Sequence, residues 1–171
     1  FFIIKKMISN LINCKTLYLH PSSIIVEKEI SLITTVLGSC VSVCLYDTKN
    51  NIGGINHYML PLWNGKELPS PKYGNIAIKK LIEKMELYGC DRSNIIAKIF
   101  GGSNIFYNNN IKTENNIGER NVEIAIYLLN EFSIPIKVIN TGGNIGRKIV
   151  FNTFTGEIYH KFLNEENFIS L

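Results

Sequence analysis

Long apolar runs, paired cysteines and clustered charges are what this chain of 171 residues lacks. No stretch approaches the ~18 consecutive apolar residues of a membrane-spanning helix. The apolar residues 1–4 precede their lysines, whereas a signal peptide carries its positive charges first, so we expect no secretory leader and a cytoplasmic protein. We assign no function to residues 1–7, which we expect to be disordered or non-native.

The cysteines are few and irregularly spaced, with no Cys-x-x-Cys pair among the four. Structural zinc sites use such pairs, so the cysteine pattern gives little support for a zinc site. In a chain without a secretory leader, reduced thiols are the simpler expectation. A cysteine is most often a core residue, and we expect this of Cys14, Cys44 and Cys90.

The net charge of +4 is spread along the chain, which favours a solvated surface over a nucleic-acid-binding face. Hydrophobic residues make up 46% and charged residues 19%, as in ordinary globular proteins. No linker, repeat or low-complexity block divides the sequence. We therefore expect residues 1–171 to form a single domain.

The first half of the chain has the alternation of β-strands. Apolar and polar residues alternate near the end of residues 32–46, which predicts extended structure over that range. Residues 47–51 have turn composition, and 52–60 are predicted to return as a second strand. Gly53 and Gly54 suggest a β-bulge in that return strand.

The second half adds two helices. Apolar residues at helical spacing predict helices over 74–88, with Gly89 as its C-terminal cap, and over 119–132. Strands are predicted over 95–100 and 136–139, and a hairpin over 148–154 and 157–162. The asparagines at 108–110 indicate a polar loop. The fold class is therefore α+β: a layered domain with a mixed or antiparallel, sandwich-like sheet and two main helices packed on it.

The candidate chemistry lies at Leu37-Gly38-Ser39-Cys40. A thiol that follows Gly38 and Ser39 at a strand edge can have free backbone N–H groups beside it, and these can bind an oxyanion. A cysteine nucleophile also needs a base. His57 is the candidate base, whereas we expect His20 and His160 to be structural.

Strand register decides whether His57 can reach Cys40. If residues 48–51 form a four-residue loop, Asp47 pairs with Ile52 and His57 lies opposite Ser42. His57 then shares a sheet face with Cys40, as a diagonal neighbour at about 7–8 Å between Cα atoms. A slip of one residue would place His57 on the other face.

A third group is needed to orient the imidazole. Thr34 and Thr35 precede Cys40, and a hydroxyl at either position can accept the imidazole N–H and fix its tautomer. These residues alone predict a Cys/His acyl-transfer site with an unknown substrate.

The chain resembles the chemoreceptor glutamine deamidase family, CheD, over about residues 20–163. The resemblance begins with Thr34, followed by Leu37-Gly38-Ser39-Cys40-Val41, and with a Gly-x-x-His-x-Met-Leu-Pro motif that contains His57. Further segments that resemble the family follow in order at 72–77, 98–106, 117–121 and 141–147. The chain departs from the family where Val36 stands for Gly and where Asn75 and Asn140 stand for Asp.

The resemblance implies a hydrolase that converts receptor glutamines to glutamate through a thioester on Cys40, without metal or cofactor. His57 is implied as the base and Thr34 as the residue that orients it, while backbone groups near Gly38 and Ser39 are expected to hold the oxyanion. Glutamate methyl esters could be hydrolysed in the same way.

The implied partners are the cytoplasmic helical region of methyl-accepting chemotaxis receptors and the phosphatase CheC. Two alternatives stay open: a regulatory binding module that acts mainly through CheC and receptors without needed catalysis, and an amidase for small molecules. A monomer is the default. A phosphate-binding loop at 142–146 is disfavoured, because no helix is predicted after it and the Lys-Ser/Thr pair is missing.

Overall fold

The computed structural model describes residues 14–104 and 116–171. In chain order, its elements are β1 (Lys15–Tyr18), β2 (Ser23–Glu27), β3 (Ser31–Leu37), β4 (Val41–Asp47), β5 (Ile52–His57), α1 (Gly74–Leu87), a 3₁₀ turn (Arg92–Asn94), β6 (Ile95–Gly101), α2 (Ile117–Glu131), β7 (Ile136–Thr141), β8 (Arg147–Asn152), β9 (Ile158–Phe162) and β10 (Ile169–Ser170). No helix in these ranges is long and apolar enough to cross a membrane. The polar loop predicted at 108–110 and the predictions for residues 1–7 fall outside the described residues.

The strands form two mixed sheets of five strands each. The outer sheet has the order β1-β3-β8-β9-β10, and the central sheet has the order β2-β5-β4-β6-β7. The pairs β1–β3 and β6–β7 are parallel, and the other pairs are antiparallel. Since β3 and β4 are consecutive in the chain but belong to different sheets, the chain crosses from one sheet to the other at residues 38–40.

The central sheet is buried on both faces. One face packs against α1 and α2 through an apolar cluster that includes Val43, Leu81 and Leu129. The opposite face packs against the outer sheet through a second cluster that includes Cys44 and Phe151. Successive side chains of a strand point to opposite faces, so β4 supplies both clusters in alternation. The result is three layers: outer sheet, central sheet and helices.

This architecture confirms the α+β prediction with two main helices. The first helix ends within one residue of its predicted limit, and Gly89 follows with a positive φ of 95°, as expected of a helix cap. The second helix begins two residues before its predicted start. The extended structure predicted over 32–46 is present as two strands, β3 and β4, which belong to different sheets and are separated by residues 38–40.

The bulge predicted at Gly53 and Gly54 is also wrong. Both residues keep a regular register with β4. Close packing explains why glycine occupies these two positions. A Cβ on Gly54 would lie 2.8 Å from the Met85 sulfur, and one on Gly53 would lie 2.7 Å from the Thr153 backbone. At these positions the absence of a side chain lets α1 and the outer sheet approach the central sheet.

A buried arginine connects β8 to the end of β7. Arg147 is 1% exposed, and its guanidinium donates to the backbone oxygens of Asn140 and Gly142, to the Asn140 side-chain oxygen and to the Ser103 hydroxyl. Burial lowers its pKa from the usual arginine value. No carboxylate of the described residues forms an ion pair with it. Among the described residues, the charge is therefore balanced by neutral oxygens and by the face of the Phe162 ring, whose centroid lies 5.3 Å from the guanidinium carbon.

We predict that Asn140→Asp stabilises the fold. The substitution places a carboxylate where Arg147 now meets an amide oxygen, and a charge-assisted hydrogen bond is stronger than a neutral one. The free energy of unfolding in urea should rise by about 1–2 kcal/mol. Asn130→Asp, an exposed change on α2, is the matched control and should stay within about 0.5 kcal/mol of the parent. Equal or lower stability of the Asn140 variant would contradict this account of the Arg147 charge.

Candidate active site

Cys40 lies in the short connection between β3 and β4, where the chain passes from the outer to the central sheet. It is half-buried and packs against the apolar cluster between the two sheets. Its sulfur is a free thiol, as are the other three cysteines. The nucleophile candidate is therefore located at one end of the inter-sheet layer.

The predicted register between β4 and β5 is confirmed. Asp47 pairs with Ile52, and further along the pair Val41 and Tyr58 exchange two backbone hydrogen bonds of 3.0 and 3.1 Å. The same register places Ser42 opposite His57, so that Cys40 and His57 share the face directed at the outer sheet. Cys40, one residue before β4, packs against the apolar cluster of this same layer, into which His57 points toward Thr35.

The His57 imidazole is anchored by a threonine of the opposite sheet. His57 is 3% exposed, and its Nδ1 lies 2.8 Å from Thr35 Oγ1. The Thr35 hydroxyl donates its proton to the Leu19 carbonyl at 2.9 Å, so it can only accept from the imidazole. This chain of hydrogen bonds places the proton on Nδ1 and leaves the Nε2 lone pair available as a base.

The prediction that Thr34 orients His57 is wrong in its geometry, because Thr35 makes the contact. In one continuous strand, Thr34 and Cys40 would share a face, since they are six residues apart. The crossing between sheets breaks that alternation. Thr35 then points into the inter-sheet layer, and Thr34 lies on the outer face of the outer sheet.

The second imidazole nitrogen has no partner. His57 Nε2 is buried and makes no hydrogen bond with any residue in the described ranges. Burial lowers the pKa of His57 to about 4, so the imidazole is neutral at pH 7. A buried, neutral base with an open lone pair is suited to accept a proton from a group that enters beside it.

Burial also changes the pKa of the Cys40 thiol. Desolvation raises the pKa of Cys40, and the N–H of its own backbone partly opposes this shift. A Cys/His pair can rest as a neutral thiol with a neutral imidazole or as a preformed thiolate–imidazolium pair. The directions of these two pKa shifts favour the neutral form. General-base removal of the thiol proton during attack is then the chemistry that this arrangement supports.

The connection that carries Cys40 is held by donors from the β6–α2 region. The Ser103 N–H donates to Gly38 O and the Gly102 N–H to Cys40 O, both at 2.8 Å. Asn121 Nδ2 donates to Ser39 O at 2.9 Å. Sequence reasoning did not identify Asn121, although it lies in the 117–121 segment, because nothing in the sequence places that segment beside Cys40.

Glycine is required where β6 meets this connection. Gly101 has a φ of 112°, and a Cβ there would lie 2.1 Å from Cys40 O. At the second residue of α2, a Cβ on Gly118 would lie 2.5 Å from Gly102 O. These contacts explain why both segments contain glycine. The backbones of β6 and α2 approach each other and the connection that carries Cys40 too closely to leave room for a side chain.

The remaining candidates are not brought into the site. His20 is exposed, and His160 is buried beside Phe100 and Phe162. Cys44 and Cys90 are buried, and Cys14 is half-buried near the outer face of the outer sheet. Within the described ranges, no group of three His, Cys, Asp or Glu residues could hold a metal ion.

Comparisons with known proteins agree with the sequence motifs. The family model described as "CheD chemotactic sensory transduction" matches residues 59–162. A Sulfurimonas denitrificans protein named "Probable chemoreceptor glutamine deamidase CheD" is 48% identical over 153 residues, covering 88% of this chain and 96% of that protein. A Trichlorobacter lovleyi protein of the same name is 45% identical over 141 residues, covering 82% and 86%.

The extent of these matches matters for the site. The family model begins after His57, at residue 59, and so does not include the Cys/His pair. The Sulfurimonas alignment leaves out 12% of 171 residues, or about 21, and therefore spans both Cys40 and His57.

We predict that Thr35→Val destabilises the fold and that Thr34→Val does not. The first change leaves the buried Nδ1–H of His57 without an acceptor, which should cost about 1–3 kcal/mol in urea unfolding. The second change is on the outer face and should cost less than about 1 kcal/mol. Nitrogen-15 shifts of the His57 ring should report the Nδ1–H tautomer in the parent. Equal losses from both variants would refute the assignment of Thr35.

A second prediction concerns pH. Because the thiol pKa is raised and the imidazole pKa is lowered, the thiolate fraction of Cys40 should increase only at alkaline pH. Alkylation of the Cys40 peptide by iodoacetamide, followed by mass spectrometry, should accelerate throughout pH 6–9, with its midpoint above about 8.5, the ordinary cysteine value. His57→Ala should leave this profile nearly unchanged. A rate plateau between pH 5 and 8 would instead indicate a preformed ion pair.

Proposed function

The chain belongs to the CheD family, and we propose that it is a cysteine hydrolase that deamidates glutamine side chains of chemoreceptors. The observation that carries the proposal is the buried Nε2 of His57, which has no partner in the described residues while Thr35 holds the other ring nitrogen. The names of the related proteins support the substrate, since they are chemoreceptor glutamine deamidases.

In the proposed acylation step, Cys40 Sγ attacks the carboxamide carbon of the receptor glutamine while His57 Nε2 removes the thiol proton. The carbonyl electron pair moves onto oxygen to give a tetrahedral oxyanion. Collapse of this intermediate breaks the C–N bond, and His57 returns the proton to the leaving nitrogen, which departs as ammonia. The product on the protein is a thioester.

Deacylation uses the same base. His57 Nε2 removes a proton from water as its oxygen attacks the thioester carbon, and collapse expels the Cys40 sulfur, which regains a proton. The receptor then carries glutamate. A glutamate methyl ester would pass through the same thioester with methanol as leaving group, so the proposal includes receptor methylesterase activity.

Each residue has a definite role in this scheme. Cys40 is the nucleophile and His57 the general base and acid. Thr35, through its bond to Nδ1 at 2.8 Å, holds the ring in the tautomer that exposes Nε2. We assign this orienting role to Thr35 in place of Thr34. No step requires a metal or an organic cofactor.

The proposal also includes the cellular setting. We place the enzyme in the cytoplasm, where the helical signalling regions of the receptors lie, and we include the phosphatase CheC as a regulating partner. Family membership supports both points.

The proposal predicts site-specific conversion of receptor glutamine to glutamate. A chemoreceptor cytoplasmic fragment is incubated with parent protein, Cys40→Ala or His57→Ala, and each peptide is examined for the mass increase of about 1 Da. Only the parent should convert glutamine, because acyl transfer fails by about 10³-fold or more without nucleophile or base.

Cys14→Ala and His20→Ala are the matched controls, since they make the same chemical changes outside the site, and both should retain activity. Conversion by Cys40→Ala would remove Cys40 as nucleophile. A folded parent that converts no glutamine in several receptors from one cell would favour the regulatory module. Conversion of free glutamine, without dependence on a receptor helix, would favour the small-molecule amidase.

A further inference from the structure

The connection at residues 38–40 is fixed by one hydrogen bond to each of its three carbonyls. Ser103 N–H holds Gly38 O, Asn121 Nδ2 holds Ser39 O and Gly102 N–H holds Cys40 O. The two backbone donors would survive any side-chain change. Asn121 is therefore the one described residue whose side chain itself supplies one of these three contacts.

The Asn121 side chain is buried and held by two hydrogen bonds. It is 0% exposed, and its Nδ2 donates to Ser39 O and Met59 O, each at 2.9 Å. Both partners are carbonyls, which fixes the amide orientation, since only the NH₂ group can serve two acceptors. One side chain thus connects the residue before Cys40 with the residue two positions after His57.

Peptide planarity converts this contact into an orientation of the next N–H group. In a trans peptide the C=O of one residue and the N–H of the following residue point in opposite directions. Anchoring Ser39 O on Asn121 therefore turns the Cys40 N–H away from α2. Anchoring Gly38 O on Ser103 turns the Ser39 N–H away from the β6–α2 segment in the same manner.

Two further observations agree with this orientation. Within residues 14–104 and 116–171, nothing accepts a hydrogen bond from the backbone N–H of Ser39 or Cys40. In addition, the Cys40 N–H lies close enough to its own sulfur to oppose the rise in the thiol pKa. Both N–H groups are consequently free donors, and peptide planarity directs them away from the β6–α2 segment.

We propose that the backbone N–H groups of Ser39 and Cys40 form the oxyanion hole and that Asn121 is the positioning residue that orients it. This inference rests on the proposed acyl-transfer function and deepens it. When Sγ bonds to the carbonyl carbon, the displaced electron pair develops negative charge on oxygen, and two preoriented donors stabilise that charge without reorganisation. Asn121 touches no reacting atom and acts through the Ser39 carbonyl.

Asn121→Asp is the sharpest substitution, because it preserves shape and replaces the donor by a carboxylate facing two carbonyl oxygens. Asn121→Ala removes the donors without adding charge and serves as a second variant if the first folds poorly. Asn130→Asp makes the same chemical change at an exposed position of α2 and is the matched control.

The experiment compares two reactions of the same thiol in the full chain. Acetylation by p-nitrophenyl acetate forms an S–C bond, breaks the ester C–O bond and releases p-nitrophenolate through an oxyanion intermediate. Alkylation by iodoacetamide displaces iodide directly and forms no oxyanion. Both products are quantified on the Cys40 peptide by mass spectrometry at one pH, so that other cysteines do not contribute.

We expect Asn121→Asp and Asn121→Ala to slow acetylation of Cys40 by about 10²-fold, the typical effect of losing an oxyanion donor. Alkylation should remain within about twofold, and Asn130→Asp should change neither rate. Equal slowing of both reactions would show that Asn121 has only a structural role, and unchanged acetylation would also overturn the inference.

Receptor deamidation by the parent, measured in parallel, separates this inference from the proposed function. If it is absent while acetylation still depends on Asn121, only the proposed substrate is refuted.

Discussion

The hydrogen bonds that hold residues 38–40 are the constraint on which the site depends. This stretch belongs to neither sheet, so no ladder of strand hydrogen bonds fixes it, yet it carries Cys40. Its carbonyls are instead bound by Gly102, Ser103 and Asn121, which come from the end of β6 and from α2. The end of β6 and the start of α2 therefore hold the connection that carries Cys40, and the outer sheet holds the His57 imidazole through Thr35.

The tight contacts of the glycine segments follow from the same arrangement. Gly101 must adopt a positive φ and leave room for Cys40 O, while Gly118 must allow α2 to touch the Gly102 carbonyl. A side chain at either position would push the helix layer away from the connection that carries the thiol. These glycines thus allow short, direct hydrogen bonds where longer side chains or water would otherwise have to mediate.

The sequence patterns predicted those features of the fold that depend on local periodicity. The helices, the β4–β5 register and the common face of Cys40 and His57 all follow from spacings within a few dozen residues. The choice between Thr34 and Thr35 does not, because it depends on where the chain leaves one sheet for the other, and that crossing resets the alternation of faces. Asn121 was unpredictable for a related reason, since only the packing of α2 brings residue 121 beside residue 39.

The anchoring of His57 by a neutral hydroxyl has a consequence for the chemical durability of the enzyme. A carboxylate in place of Thr35 would favour a protonated imidazole and with it a standing thiolate at Cys40. Oxidants attack thiolates far faster than thiols, and the first product is a sulfenic acid. Because Thr35 and burial favour the neutral form of both groups, we expect Cys40 to react only slowly with peroxide.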